Sequence, residues 1–271
     1  MNLGVAFFNL GNISKAIESY EQSLAIARNI SSQSGEGDAL GNLGEAYYAL
    51  GDSQKAIEVY QQTLAIKQQV SDRRVQSIVL GYIGHSHLSL GEYYRANESY
   101  RQAIQIAREI SFPTTIQNAH WGLAQMYLCK NDLTNAHSTI EAALQYDVPE
   151  YNHNATALHG IIALRQGERK TAQEAFTRSI AQADEILAKT PDYYSALDAK
   201  GLSICGLTIC DFGLTIEGRE ELLAEAVKTF KRARKIAPHA GVVKSVLRLF
   251  DELVKCDEEG VLKGVREVIA G

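Results

Sequence analysis

A 40-residue period runs through the first half of this 271-residue chain, and it constrains the fold more than any other feature. Gly4, Gly44, Gly84 and Ala124 share one register. So do Gly11, Gly51, Gly91 and Asn131, and so do Ala16, Ala56, Ala96 and Ala136. Tyr20, Tyr60, Tyr100 and Ile140 form a fourth column. A fixed period of this size marks a stack of supersecondary units, each packing on its neighbours. The job such a stack implies is holding another molecule.

The second unit shows what is repeated. Leu43, Ala46, Tyr47 and Leu50 recur at three- and four-residue steps, which is one apolar face of a helix. Gly51-Asp52 breaks that helix, and Asp52 or Ser53 can cap the next. Ala56, Ile57, Tyr60 and Leu64 line the second helix. The unit is a helix hairpin whose apolar stripes are buried only by stacking. Small residues at Gly44 and Ala56 allow the two helices to approach, and Tyr60 fills the space they leave, toward the next hairpin. Gly51 suits a turn with positive φ.

These residues resemble the tetratricopeptide repeat. Its signature, Leu-Gly-x-x-Tyr followed by Ala-x-x-x-Phe or Tyr, reads here as Leu43-Gly44-x-x-Tyr47 and Ala56-x-x-x-Tyr60. The usual period is about 34. The 40-residue form is similar to that of kinesin light chains, Pins/LGN-type scaffolds and bacterial signalling arrays. Ile30-Ser31, Val70-Ser71 and Ile110-Ser111 show that the linker is templated too. The resemblance implies an all-α, right-handed solenoid of about six hairpins. The units fall near 1–33, 34–73, 74–113, 114–150, 151–190 and 191–238, and capping helices over 239–271 read as 241–255 and 257–269. Regularity fades after the fourth unit. In the sixth, Gly201 and Ala226 stand 25 residues apart, against 12 for Gly44 and Ala56, so an apolar insertion is expected near 206–218, packed locally.

In this family the first helix of each hairpin lines a concave groove. Counting from the glycine column, the resemblance assigns partner contacts to Asn2, Asn42, Glu45, Tyr48, Tyr82, His85, Leu88, Asn118, Trp121 and Gln125. Asn2 and Asn42 occupy equivalent positions, and their amides can bind the main chain of an extended peptide. Tyr48, Tyr82, His85 and Trp121 supply aromatic anchors of the kind that dominate binding energy. The lysines of the family's carboxylate clamp would stand at Gly41, Gly81 and Trp121, so no such clamp is expected.

The other chemistries are poorly supported. Cys129, Cys205, Cys210 and Cys256 form no Cys-x-x-Cys pair and read as free thiols in a reducing, cytoplasmic setting. His85 and His87 are two apart on a helix and face different ways, which argues against a shared metal. Asp211-Phe212-Gly213 matches a kinase triplet by letters alone, with no glycine-rich loop or catalytic loop around it. No nucleophile–base pair emerges, so no enzyme and no cofactor are expected. No apolar run approaches the ~20 residues that cross a bilayer. The net charge of −5 gives no drive toward nucleic acid. The basic stretch from Lys228 to Arg248 is a candidate acidic-partner patch, but a solvated helix face explains it as well.

The expected function is therefore a scaffold that binds a partner peptide or protein segment. The rival is a ligand-sensing C-terminal domain of a bacterial signal-transduction ATPase. That rival draws on the short first helix, in which Gly4 falls at the family's eighth position, as though a longer chain with an upstream domain had been cut.

Overall fold

The computed structural model describes residues 2–210 and 213–271, apart from the side chains of Asn2 and Asn9. The Asp211-Phe212 part of the kinase-like triplet lies outside the described residues. Helices make up 82% of the structure. They are α1 (Asn2–Asn9), α2 (Ile13–Asn29), α3 (Gln33–Leu50), α4 (Ser53–Gln69), α5 (Arg73–Leu90), α6 (Tyr93–Glu109), α7 (Pro113–Cys129) and α8 (Leu133–Leu144). There follow α9 (Pro149–Arg165), α10 (Arg169–Lys189), α11 (Tyr194–Cys210), α12 (Ile216–Ile236), α13 (Ala240–Val254) and α14 (Val265–Ala270).

The templated linkers have a shared physical form. Asp52 caps α4 by accepting the Lys55 backbone N–H at 3.1 Å, and Asn12, Asp72 and Asp132 do the same for α2, α5 and α8. At the turn before α4, Gly51 adopts φ +91° and closes α3 through bonds from Gly51 N to Tyr48 O and from Asp52 N to Tyr47 O. Between hairpins the left-handed position is taken by Ser31, Ser71 and Ser111, at φ 54–56°.

Contacts divide the chain into two compact units, residues 1–126 with 239–242 and residues 127–238 with 243–271. In the first, Ile13, Ala16, Tyr20, Leu43, Ala46 and Ala49 form one core cluster, and Ala56, Tyr60, Val79 and Ile83 form another. The glycine column explains their density. A Cβ on Gly44 would lie 2.4 Å from the Tyr60 ring, and one on Gly84 would lie 2.6 Å from Tyr100. The tyrosine thus fills its own hairpin's gap as well as reaching the next, where Tyr60 stacks on Tyr82 at 5.6 Å.

His239–Val242 pack within this first unit. His239 Nε2 donates to the Gly11 carbonyl at 2.9 Å, and Val242 joins the cluster around Tyr20 and Leu43. Gly241 lies so near the Tyr48 carbonyl that a Cβ there would sit 2.0 Å from the oxygen. Residues 239–271 were expected to cap only the last hairpin, so this docking is a departure from the sequence reading. Contacts between segments so distant in the chain leave no periodic trace.

In the second unit Phe176, Phe230, Leu158, Ile161, Ile162 and Ile204 are fully buried. The region expected as an insertion is largely helical. α11 runs on to Cys210 with Cys205, Thr208 and Ile209 buried, and α12 starts at Ile216, well before Ala226. Leu214 and Ile216 are exposed. The last helix is shorter than the 257–269 expected. Asp257 accepts the backbone N–H groups of Val261 and Leu262 at 2.8 Å each, and Gly260 and Gly264 take positive φ, so the chain turns until Val265. No described helix is long and apolar enough to cross a membrane.

Candidate functional site

The candidate site is built from α3, α5 and the first part of α7, all in the first unit. Glu45, His85 and Gln125 stand 40 residues apart, each one residue past the small-residue column. In the second and third hairpins the side chain that fills the gap over the small-residue column is Tyr60 or Tyr100.

The three pairings differ. In the third hairpin the Tyr100 hydroxyl meets His85 Nδ1 at 2.8 Å. The rings pack edge to face at 5.2 Å, and Trp121 packs edge-on to His85 at 5.7 Å. In the fourth repeat the tyrosine column of the sequence holds Ile140. Gln125 is 1% exposed, and neither its amide nitrogen nor its oxygen has a hydrogen-bond partner. In the second, Glu45 makes no hydrogen bond or ion pair with any described residue. The hydroxyl of Tyr60, a residue 1% exposed, is likewise unpartnered. Buried polar groups are normally paired, and each orphan costs about 1–3 kcal/mol. Glu45 and Gln125, on either side of the satisfied His85, leave the hydrogen bonding of this column incomplete.

Burial raises the Glu45 carboxyl above its usual range. Burial, together with the neighbouring Glu45 charge, pushes Tyr20 up to about 12. The same burial, with Glu45, Tyr82 and Tyr48 nearby, holds Tyr60 well above the ordinary phenol.

The residues expected in the groove fall into two groups. Asn42, Glu45, Tyr48, Tyr82, Asn118 and Trp121 are partly exposed. Leu88 at 3%, His85 at 9% and Gln125 at 1% are buried, which corrects the expectation that they line an open surface. For His85 the reason is local: its ring packs on Tyr100 of the second helix of its own hairpin, and Leu88 lies about one turn further along α5. The Asn2 side chain lies outside the described residues. Sequence reasoning missed Tyr60, whose unpartnered hydroxyl belongs to this site; its place beside Glu45 in the repeat was the available signal.

Other candidates are accounted for by the structure. His87 Nδ1 bonds Glu92 at 2.6 Å, on a different partner from His85. Within the basic stretch, Arg234 is buried against Asp198 and Arg232 meets Asp192 at 3.1 Å, so the stretch is not a continuous free patch. Cys205 and Cys210 are buried, and burial raises their thiols to about 12 and about 11.

Tetratricopeptide repeat family models match residues 1–69 and 81–110. Over those residues the chain matches the tetratricopeptide repeat family, and its fold is of the all-α solenoid class. Among solved structures it is similar to a Rap protein complexed with Competence and Sporulation Factor, at a TM-score of 0.72 and 16% identity, over 98% of this chain and 74% of that one. It is also similar to the Rap conjugation gene regulator of the plasmid pLS20 in complex with the Phr* peptide, at 0.68 and 16%, over 98% and 71%. BtubC (BKLC) from P. vanneervenii aligns at 0.58 and 15%, over 83% of this chain and 90% of that one. At these identities the likeness is one of fold. No curated protein sequence matches the chain significantly.

Proposed function

We propose that this protein is an interaction scaffold that binds a peptide or extended partner segment across the first helices α3, α5 and α7. The observation that carries the reading is Glu45, partly exposed and bonded to no described residue, flanked by the partly exposed rings of Tyr48, Tyr82 and Trp121. Aromatic rings beside unsatisfied polar groups suit a ligand that brings both apolar side chains and main-chain donors and acceptors. Asn42 and Asn118, each on a first helix and partly exposed, offer amides for the main chain. Asn2 extends that row in the sequence. Two structures of similar fold were solved with a peptide or a factor bound, which supports the reading by analogy of fold.

The test is selection of binders from a random linear-peptide library on the intact protein, followed by affinity measurement on Tyr82→Ala and Trp121→Ala. Loss of one aromatic anchor should cost about 2 kcal/mol, roughly 30-fold in Kd. Unchanged affinity in both variants, with their melting curves showing them folded, would place binding elsewhere.

A further inference from the structure

The second hairpin differs from the third in one respect that points to a ligand. In the third, the column residue and the column tyrosine satisfy each other, His85 to Tyr100. In the second, the same two positions hold Glu45 and Tyr60, and no described residue bonds to either. Glu45 follows Gly44, which the Tyr60 ring covers, and Tyr48 and Tyr82 pack against the cluster that holds Tyr60. Tyr60 stacks on Tyr82 at 5.6 Å, and Tyr48 and Tyr82 both lie near enough to perturb the Tyr60 hydroxyl. Lys55 of α4 is engaged elsewhere, 4.0 Å above the Tyr47 ring.

A partly buried carboxyl with no counter-ion is costly unless something supplies the charge. Tyrosine faces attract cations, more strongly once water is excluded. From this juxtaposition we infer that Glu45, Tyr48, Tyr60 and Tyr82 form a subsite for the cationic side chain of a lysine or arginine in the bound partner. Glu45 supplies the counter-charge and the rings of Tyr48 and Tyr82 supply flanking aromatic surface. Tyr60 brings no positive charge beside Glu45, so the charge of the carboxylate is left unbalanced there. The raised carboxyl is in keeping with this arrangement, since the missing stabilising charge is the one the ligand would bring.

The inference rests on the groove-binding proposal above, and its test separates the two. N-acetyl-lysine amide, N-acetyl-arginine amide and N-acetyl-norleucine amide would be titrated into the full protein, with the backbone amide signals of Glu45, Tyr48 and Tyr82 followed by NMR. The two cations should bind saturably and at least roughly tenfold more tightly than norleucine. That preference should vanish in Glu45→Gln. It should vanish also in Glu45→His, which recreates the satisfied pair of the third hairpin and so guards against a folding defect. Equal binding of all three probes, or a cation preference that survives in both variants, overturns the subsite. Library peptides that depend on Trp121 but show no enrichment of lysine or arginine also overturn it, and leave the groove reading standing. Cation binding at Glu45 with no peptide dependent on Tyr82 or Trp121 upholds the subsite and sinks the peptide reading.

Discussion

Alanine at Gly84 and alanine at Gly81 make a matched pair that measures the close approach on which the repeat depends. Both glycines lie in the interior of α5, three residues apart. Either substitution should gain the same intrinsic helix propensity, about 0.8–1 kcal/mol. Their surroundings differ. A Cβ at Gly81 meets nothing within 4 Å, whereas one at Gly84 would lie 2.6 Å from Tyr100 Cε1 and 2.7 Å from Cδ1. Tyr100 is 0% exposed, and its hydroxyl is held by His85, so the ring has no free space to turn into. Overpacking of this kind costs about 1–3 kcal/mol. Gly81→Ala should therefore stabilise by up to about 1 kcal/mol. Gly84→Ala should fall below it by about 1–3 kcal/mol. The sequence columns indicate the compensating change, since the fourth repeat has Ala124 in the glycine column and Ile140 in the tyrosine column. The double variant Gly84→Ala/Tyr100→Ile should lose less than the sum of its parts by about 1–2 kcal/mol. Urea denaturation gives the midpoints, and hydrogen exchange in α5 and α6 gives the local stability, because repeat arrays can open in parts. If Gly84→Ala proves as stable as Gly81→Ala, or the cycle is additive, the close-approach account of the glycine column is wrong.

Two further outcomes follow from buried charge. Lys67 is 1% exposed, in a column otherwise held by Ala27 and Ala107, and its ammonium lies 2.6 Å from Asp38 and 3.7 Å from Asp72. Lys67→Met removes the charge and keeps the stem, so it should shift the urea midpoint by no more than about 1 kcal/mol. Asp38→Ala weakens the pairing of a buried ammonium and should cost about 3 kcal/mol, and the reverse order would refute the pairing argument. In the second unit His153 is 0% exposed, and burial holds its imidazole down at about 4. An unfolded histidine titrates near ~6.5, so between those values the unfolded chain binds a proton that the native state does not. The stabilisation from neutral His153 should be complete above pH ~6.5 and lost as pH falls toward 4, by about 3 kcal/mol in all. A His153→Gln variant with the same urea-midpoint difference between pH 7 and pH 4.5 as the parent would contradict this.

How much of this was legible in the sequence depends on the range of the interaction concerned. Hairpins, turns and caps are local, and they recur, so Gly51, Asp52 and Tyr60 could be placed from a single column each. The groove assignment needed only the phase of a helix, yet it went astray at His85, Leu88 and Gln125, because phase does not say how deep a side chain lies. Depth is set by what stands opposite, and that is found only by reading two columns together. Glu45, His85 and Gln125 look interchangeable as a polar column. Against Tyr60 and Tyr100 the first two become an unpaired acid and a satisfied histidine, and Gln125 is an orphaned amide. The docking of His239–Val242 on Gly11 and Tyr48 had no signal of this kind, since it joins non-repeating sequence to the repeat and relies on the bare backbone of Gly241. What a repeat displays openly is its scaffold. What distinguishes one repeat protein from another lies in the places where neighbouring columns fail to match, and in this chain the clearest mismatch is at Glu45.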